Sequence, residues 1–163
     1  MAFDPEKTLV IIFGASQWPN FPTFQKNSPS EVFADSAEGM RDYFLKNLSI
    51  PKKNLINLFD YLILPTDLTL EIKKAIDEKT SDNQGIDLFF YYVGHGAKLL
   101  QEYYLYLRNS YEGITSSCFN LGDLVTAISE RASKIRYCYF ILDACQSQTA
   151  YNYLKNIVRI ANK

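Results

Sequence analysis

Four short, mostly apolar runs limit the folds open to this chain. They are residues 8–13 (TLVIIF), 55–59 (LINLF), 86–93 (IDLFFYYV) and 136–142 (RYCYFIL). Each is too short for a buried helix and rich in β-branched or aromatic residues, so each reads as a strand. Near-continuous apolarity, rather than strict alternation, implies burial on both faces, as in a parallel sheet.

Stretches with helical spacing separate the runs. Phe33, Ala37, Met40, Phe44 and Leu48 predict a helix over residues 32–47, with Pro51 at its exit. Leu68, Ile72, Ala75 and Ile76 form a second stripe, which Thr66 or Asp67 can cap. Leu121, Leu124, Val125 and Ile128 mark a third helix, and Leu154, Ile157, Val158 and Ala161 a last one. Residues 101–108 (QEYYLYLR) alternate and predict a small hairpin arm. Residues 15–30 carry Pro19, Pro22 and Pro29 without periodicity and read as a long loop. Loops of that length are usually functional. Trp18 and Phe21 within it either line a substrate groove or cover the sheet. Residues 81–85 (SDNQG) form a turn cluster. The order is strand, helix, strand, helix, strand, hairpin, helix, strand, helix. It predicts one α/β domain over residues 1–163, with a mostly parallel central sheet and helices on both faces.

Composition removes several function classes. The net charge is −1 and the isoelectric point about 5.8, so no cationic field exists to hold nucleic acid. Twelve Tyr and eleven Phe fall mostly in the strand-like runs, which assigns them to core packing rather than base stacking. No apolar run approaches the length of a membrane span, and residues 1–7 (MAFDPEK) lack the regions of a signal peptide. Three cysteines without a Cys-x-x-Cys pair disfavour a disulfide framework or a zinc knuckle. The expected setting is cytoplasmic, with reduced thiols. No metal or organic cofactor is expected. A single His and the lack of a Gly-rich phosphate loop after the first strand argue against zinc or nucleotide binding.

Two reactive side chains lie where apolar runs end. His95, the only histidine, sits in Tyr91-Tyr92-Val93-Gly94-His95-Gly96, and Cys145 follows Ile141-Leu142-Asp143-Ala144. In parallel α/β sheets, sites form outside the carboxyl ends of strands. A thiolate is the nucleophilic form of cysteine, and a nearby imidazole is a common device for generating it. Cys145, between a strand and a helix, is the candidate nucleophile. Cys138 lies inside a strand and reads as a small core hydrophobe. Cys118 has no second histidine to pair with. Gly94 and Gly96 on either side of His95 permit close approach of a ligand and unusual backbone conformations. The amides of Gly96 and Cys145 are placed to form an oxyanion hole.

The two segments around His95 and Cys145 resemble those of caspase-like cysteine peptidases. They are nearer to bacterial caspase-like domains and metacaspases than to animal caspases. The likeness extends to Phe13-Gly14-Ala15-Ser16 and to Phe33-Ala34-Asp35-Ser36-Ala37. Cys145 follows His95 by 50 residues, close to the caspase spacing. The resemblance implies a caspase-like three-layer fold, with His95 as general base or acid and Cys145 as the acylated nucleophile. Gly96 completes the oxyanion hole. It implies a protein or peptide substrate and, in bacterial relatives, an effector role in defence or programmed cell death.

Where animal caspases carry Gln two residues before the cysteine, this chain has Asp143. In metacaspases the matching Asp faces the pocket for the residue before the scissile bond and selects Arg or Lys. A carboxylate there pairs with a cation and repels an acidic side chain. Asp35 stands where metacaspases often place a second pocket carboxylate; it also suits a helix N-cap. Ser147 stands where animal caspases have Gly. Some metacaspases are calcium-activated; no loop here has calcium-ligand spacing, so the resemblance leaves calcium activation open without a site in the sequence to indicate it. A caspase-like sheet has six main strands and only four are found here. The resemblance therefore implies a large-fragment portion, lacking the C-terminal small-subunit strands. A small fragment or further domains of the same protein would be partners, and the portion alone would expose one sheet edge. The alternative is a caspase-like interaction module without turnover.

Overall fold

The computed structural model describes residues 3–25, 30–80, 85–144, 150–152, 154 and 155. The chain forms β1 (Thr8–Gly14), a single helical turn α1 (Pro22–Gln25), α2 (Ser30–Asp42), β2 (Leu55–Phe59), α3 (Pro65–Lys79) and β3 (Ile86–Gly94). Three short strands follow: β4 (Gly96–Leu99), β5 (Glu102–Leu105) and β6 (Phe119–Asn120). Then come α4 (Leu121–Ser129) and β7 (Ile135–Ala144), and residues 150–152, 154 and 155 are helical.

All four apolar runs are parallel strands of one sheet, in the order β2-β1-β3-β7. β1 is buried along its whole length and its side chains alternate between two cores. Leu9, Ile11 and Phe13 pack with Leu68, Ile72 and Ile76 of α3 and with Leu121 and Leu124 of α4. Val10 and Ile12 pack on the other face, with Ala37 of α2 and with Phe44. Helices thus cover both faces, and the architecture is the expected three-layer α/β arrangement. The second sheet, β4-β5-β6, is antiparallel and adds Tyr103, Leu105 and Phe119 to the α3/α4 side of the core.

Local details differ from the sequence expectations for identifiable reasons. The first long helix begins at Ser30, and after Asp42 the chain winds through a π turn, Tyr43–Asn47, where Leu48 N–H donates to Tyr43 O at 3.1 Å. Asp35 is therefore inside α2 and does not cap it. α3 starts at Pro65 with Leu64 as its N-cap, so neither Thr66 nor Asp67 caps it. Proline's fixed φ suits the first helical position, and Asp67 complements the helix dipole from the first turn. The hairpin expected over residues 101–108 begins earlier, with Leu100 at its turn in a left-handed conformation, φ +56°. Residues 81–84 of the turn cluster, and Ile157, Val158 and Ala161, lie outside the described residues.

One irregularity matters for the site. Ile86 pairs with Ile135, but Asp87 pairs with Tyr137, so Arg136 is the extra residue of a bulge. Its guanidinium grips the nearly buried Asp87 carboxylate in bidentate fashion, at 3.0 and 2.9 Å. From Asp87 onward the register is unbroken and ends at Gly94 opposite Ala144. Asp87→Ala strands the Arg136 charge and should lower the unfolding free energy by about 3 kcal/mol, read from urea denaturation. Adding Arg136→Met to that variant should recover part of the loss, because no unpaired charge then remains.

Candidate active site

His95 occupies the single residue between β3 and β4, where the chain leaves the carboxyl end of the parallel sheet. The glycines on either side are explained by aromatic neighbours. Gly94 has φ +150°, and a Cβ on it would lie 2.8 Å from the Tyr92 hydroxyl and 3.1 Å from the Trp18 ring. A Cβ on Gly96 would lie 2.6 Å from the Tyr103 hydroxyl. Close packing of Tyr92, Trp18 and Tyr103 thus requires both glycines, a reason the sequence reading did not contain.

The backbone of His95 is anchored through its carbonyl. That oxygen accepts the Tyr106 N–H at 3.0 Å and lies 2.5 Å from the hydroxyl of the fully buried Tyr92. Trp18 Nε1–H donates to Tyr106 O at 3.1 Å, which ties the long loop after β1 to the same residue, just past the end of β5. Aromatic rings surround the imidazole. Phe24 of α1 stacks on it with centroids 4.2 Å apart, Trp18 lies at 4.4 Å, and Phe33 of α2 meets it edge-on at 5.3 Å. Burial among these groups lowers the His95 pKa below its ordinary value of 6.5 and favours the neutral ring. Trp18 and Phe21 are only 2 % and 6 % exposed; Trp18 is a direct wall of the histidine site, and Phe21 packs on Phe24 and Tyr106 beside it.

The loop that carries Trp18 has a second anchor. Ser16 donates through both its N–H and its hydroxyl to Asp60, at 2.8 and 2.6 Å, and Arg108 pairs with Asp60 at 3.2 Å. These contacts join the ends of β1 and β2 to the segment after β5.

The other expected site residues fall as follows. The Gly96 amide sits beside His95. Because Tyr106 N–H bonds to His95 O, Gly96 and Leu105 form a non-hydrogen-bonded pair, and the Gly96 N–H is directed away from β5. Asp143 pairs in register with Val93 and is exposed; the Tyr91 hydroxyl lies 3.4 Å from its Oδ2. Burial, with the Asp143 charge added, pushes the Tyr91 phenol well above its usual range. Asp35 is exposed on α2, the helix that covers the face bearing Tyr91 and Val93. Cys145 and Ser147 lie outside the described residues; β7 ends at Ala144, the residue before Cys145. Cys138 is half-buried against the core, and burial raises its thiol to about 12. Cys118 is buried and its pKa is likewise raised. Neither has the character of a nucleophile.

Sequence reasoning missed Phe24, Phe33 and Tyr92 as neighbours of His95. In sequence Phe33 is a position of a helical stripe and of the family-like stretch around Asp35, and neither pattern places it against His95. Set against known proteins, the chain matches no family model and no curated protein. Among the described residues, no helix is long and apolar enough to cross a membrane.

The lone histidine gives a single pair of imidazole C–H resonances, so its titration by proton NMR is unambiguous. Its midpoint should fall below 6.5, and Phe24→Ala, which admits water, should move it upward. The sign for stability follows. The unfolded chain takes up the proton first, so the stabilisation from neutral His95 is complete above pH 6.5. It is lost as pH falls from there towards the depressed native value. His95→Gln should flatten that part of the stability profile.

Proposed function

We propose that this chain is a caspase-like cysteine endopeptidase acting through Cys145 and His95. The observation that supports this reading most is the pairing of β3 with β7. These parallel neighbours end in register at Gly94 and Ala144, and the next residues in sequence are His95 and Cys145. Adjacent parallel strands lie about 4.8 Å apart, so residues that leave the same register position start within reach of one another.

In this reading Cys145 attacks the scissile carbonyl carbon and the C–N bond breaks in the second half of the step. His95 takes the thiol proton and returns it to the leaving amine. Water then hydrolyses the thioester and regenerates the thiol. The amides of Gly96 and Cys145 stabilise the oxyanion, and the direction of the Gly96 N–H away from β5 is compatible with that role. The lowered His95 pKa favours the base form near neutral pH. Asp143 selects Arg or Lys before the scissile bond, with Asp35 as a second carboxylate on the same side. A small C-terminal fragment, or another part of the protein, adds strands on the β7 edge. The protein works in the cytoplasm as an effector protease in bacterial defence or programmed cell death. The enclosure of His95 by three aromatic rings also suits a histidine kept for packing, which favours a second reading: an interaction module without turnover.

Fluorogenic peptides ending in Arg, Lys or Asp separate these readings, assayed with any small fragment and activator supplied. Turnover should follow Arg and Lys, and Cys145→Ala should reduce it by at least about 10³-fold. Asp143→Ala should cost about 10- to 100-fold in kcat/KM on Arg peptides, the loss of one charge-assisted pair. Turnover after Asp alone would remove the role of Asp143 and leave the peptidase. No turnover on any peptide, with biological activity retained in Cys145→Ala, would establish the interaction module instead.

A further inference from the structure

Beside the histidine lies a cavity of about 390 Å³ that the dyad does not use. Phe24 joins the two: it stacks on His95 and also lines this cavity. Phe21 and Tyr106 form the rest of its inner wall. Phe21 stacks on Phe24 at 4.8 Å, and Tyr106 lies 5.0 and 5.5 Å from these two rings. At the rim, Tyr111 and Ile114 are about half exposed (50 % and 51 %), large apolar surface turned towards solvent. Among the described residues lining the cavity, Glu112 is the only charged one. Its carboxylate accepts the Thr23 hydroxyl, and its backbone N–H donates to Asn20 O at 3.2 Å, so the loop after β1 holds it in place. Glu112 is also near enough to help raise the Tyr106 phenol, behind burial and Cys118.

We propose that this cavity is a second substrate subsite, which receives a basic side chain close to the scissile bond. The volume is at the small end for ligand sites and suits one long side chain rather than an organic cofactor. Ring faces attract a cation through their quadrupoles, and apolar walls accept the methylene stem of Lys or Arg. A single carboxylate, with no cation lining the cavity among the described residues, completes the match and disfavours acidic side chains. The subsite is distinct from the one assigned to Asp143. That residue lies on β7, whereas this cavity is built from α1, the loop before it and the segments around β4–β6.

The proposal rests on the peptidase reading, yet binding can be measured without turnover. N-acetyl-arginine amide, N-acetyl-norleucine amide and N-acetyl-aspartate amide are titrated into the full chain. The readouts are the amide chemical shifts of Glu112 and Gly113 and the fluorescence of Trp18, the only tryptophan. The arginine amide should shift both amides, and Glu112→Gln should weaken its binding about two- to fivefold. Thr115→Phe, which fills the cavity from an exposed rim position, should abolish binding. Equal binding of arginine and norleucine amides, unchanged in Glu112→Gln, would overturn the assignment to a cation. No shift with any ligand would overturn the subsite. Peptide cleavage indifferent to Glu112→Gln and Thr115→Phe at every position near the scissile bond would overturn the subsite and leave the peptidase standing. Arginine-specific binding in a chain without turnover would do the reverse.

Discussion

The register between β3 and β7 is the constraint on which the candidate site depends. Below the bulge the two strands pair with an offset of one residue fewer than above it, and Arg136 supplies the difference. If the Ile86–Ile135 register continued without the bulge, Gly94 would face Asp143 and the two strand ends would be one position out of step. The bidentate Asp87–Arg136 pair sits at the bulge, some eight residues from the histidine, and fixes the pairing from the far end of the sheet. The 50-residue separation of His95 and Cys145 in sequence is the same quantity as this register, expressed along the chain rather than across it.

Given that register, a second constraint is how closely aromatic side chains crowd the carboxyl end of β3. Tyr92, Trp18 and Tyr103 approach where any Cβ on Gly94 or Gly96 would stand. Phe24 and Phe33 then close on the imidazole from the two elements that follow β1. The largely buried loop after β1 is held by Asp60 at one point and by the Trp18–Tyr106 bond at another. The packing that lowers the His95 pKa is therefore the packing that orders this loop, and the chemistry of the ring and the stability of the loop are coupled.

The strands were legible because each is a compact apolar run, and burial on both faces leaves an unmistakable pattern. The helices were legible as stripes, but their ends were not. The π turn at Tyr43–Asn47 and the start of α3 at Pro65 depend on backbone winding and on proline geometry, to which a 3.6-residue period is blind. His95 was legible by being the sole histidine at a strand end. Its cage was not, because Trp18 and Phe24 come from an aperiodic loop and Phe33 from a helix, and only tertiary packing brings them to one ring. The bulge at Arg136 was hidden for the same reason: in sequence it is one polar residue at the edge of an apolar run.

The position of Asp143 turns on which strand carries it. β7 pairs with β3 alone among the described residues, and its side chains are half-buried or exposed where those of β3 are mostly buried. Asp143 is exposed, although Tyr91 reaches towards it across the strand pair. A carboxylate in that setting is well hydrated and discriminates weakly between cations and neutral side chains. Under the proposed function, strong preference for Arg or Lys requires something to cover the β7 edge and remove that water. The cavity beside Phe24 has its aromatic walls in place; Glu112 is itself exposed, but its carboxylate is held at the rim by the Thr23 hydroxyl. The two acidic subsites would then differ in their walls: one carboxylate stands beside rings already packed, the other on a strand edge that only assembly would cover. On that view a basic peptide engages the cavity before the β7 edge is covered, and cleavage waits for the second event.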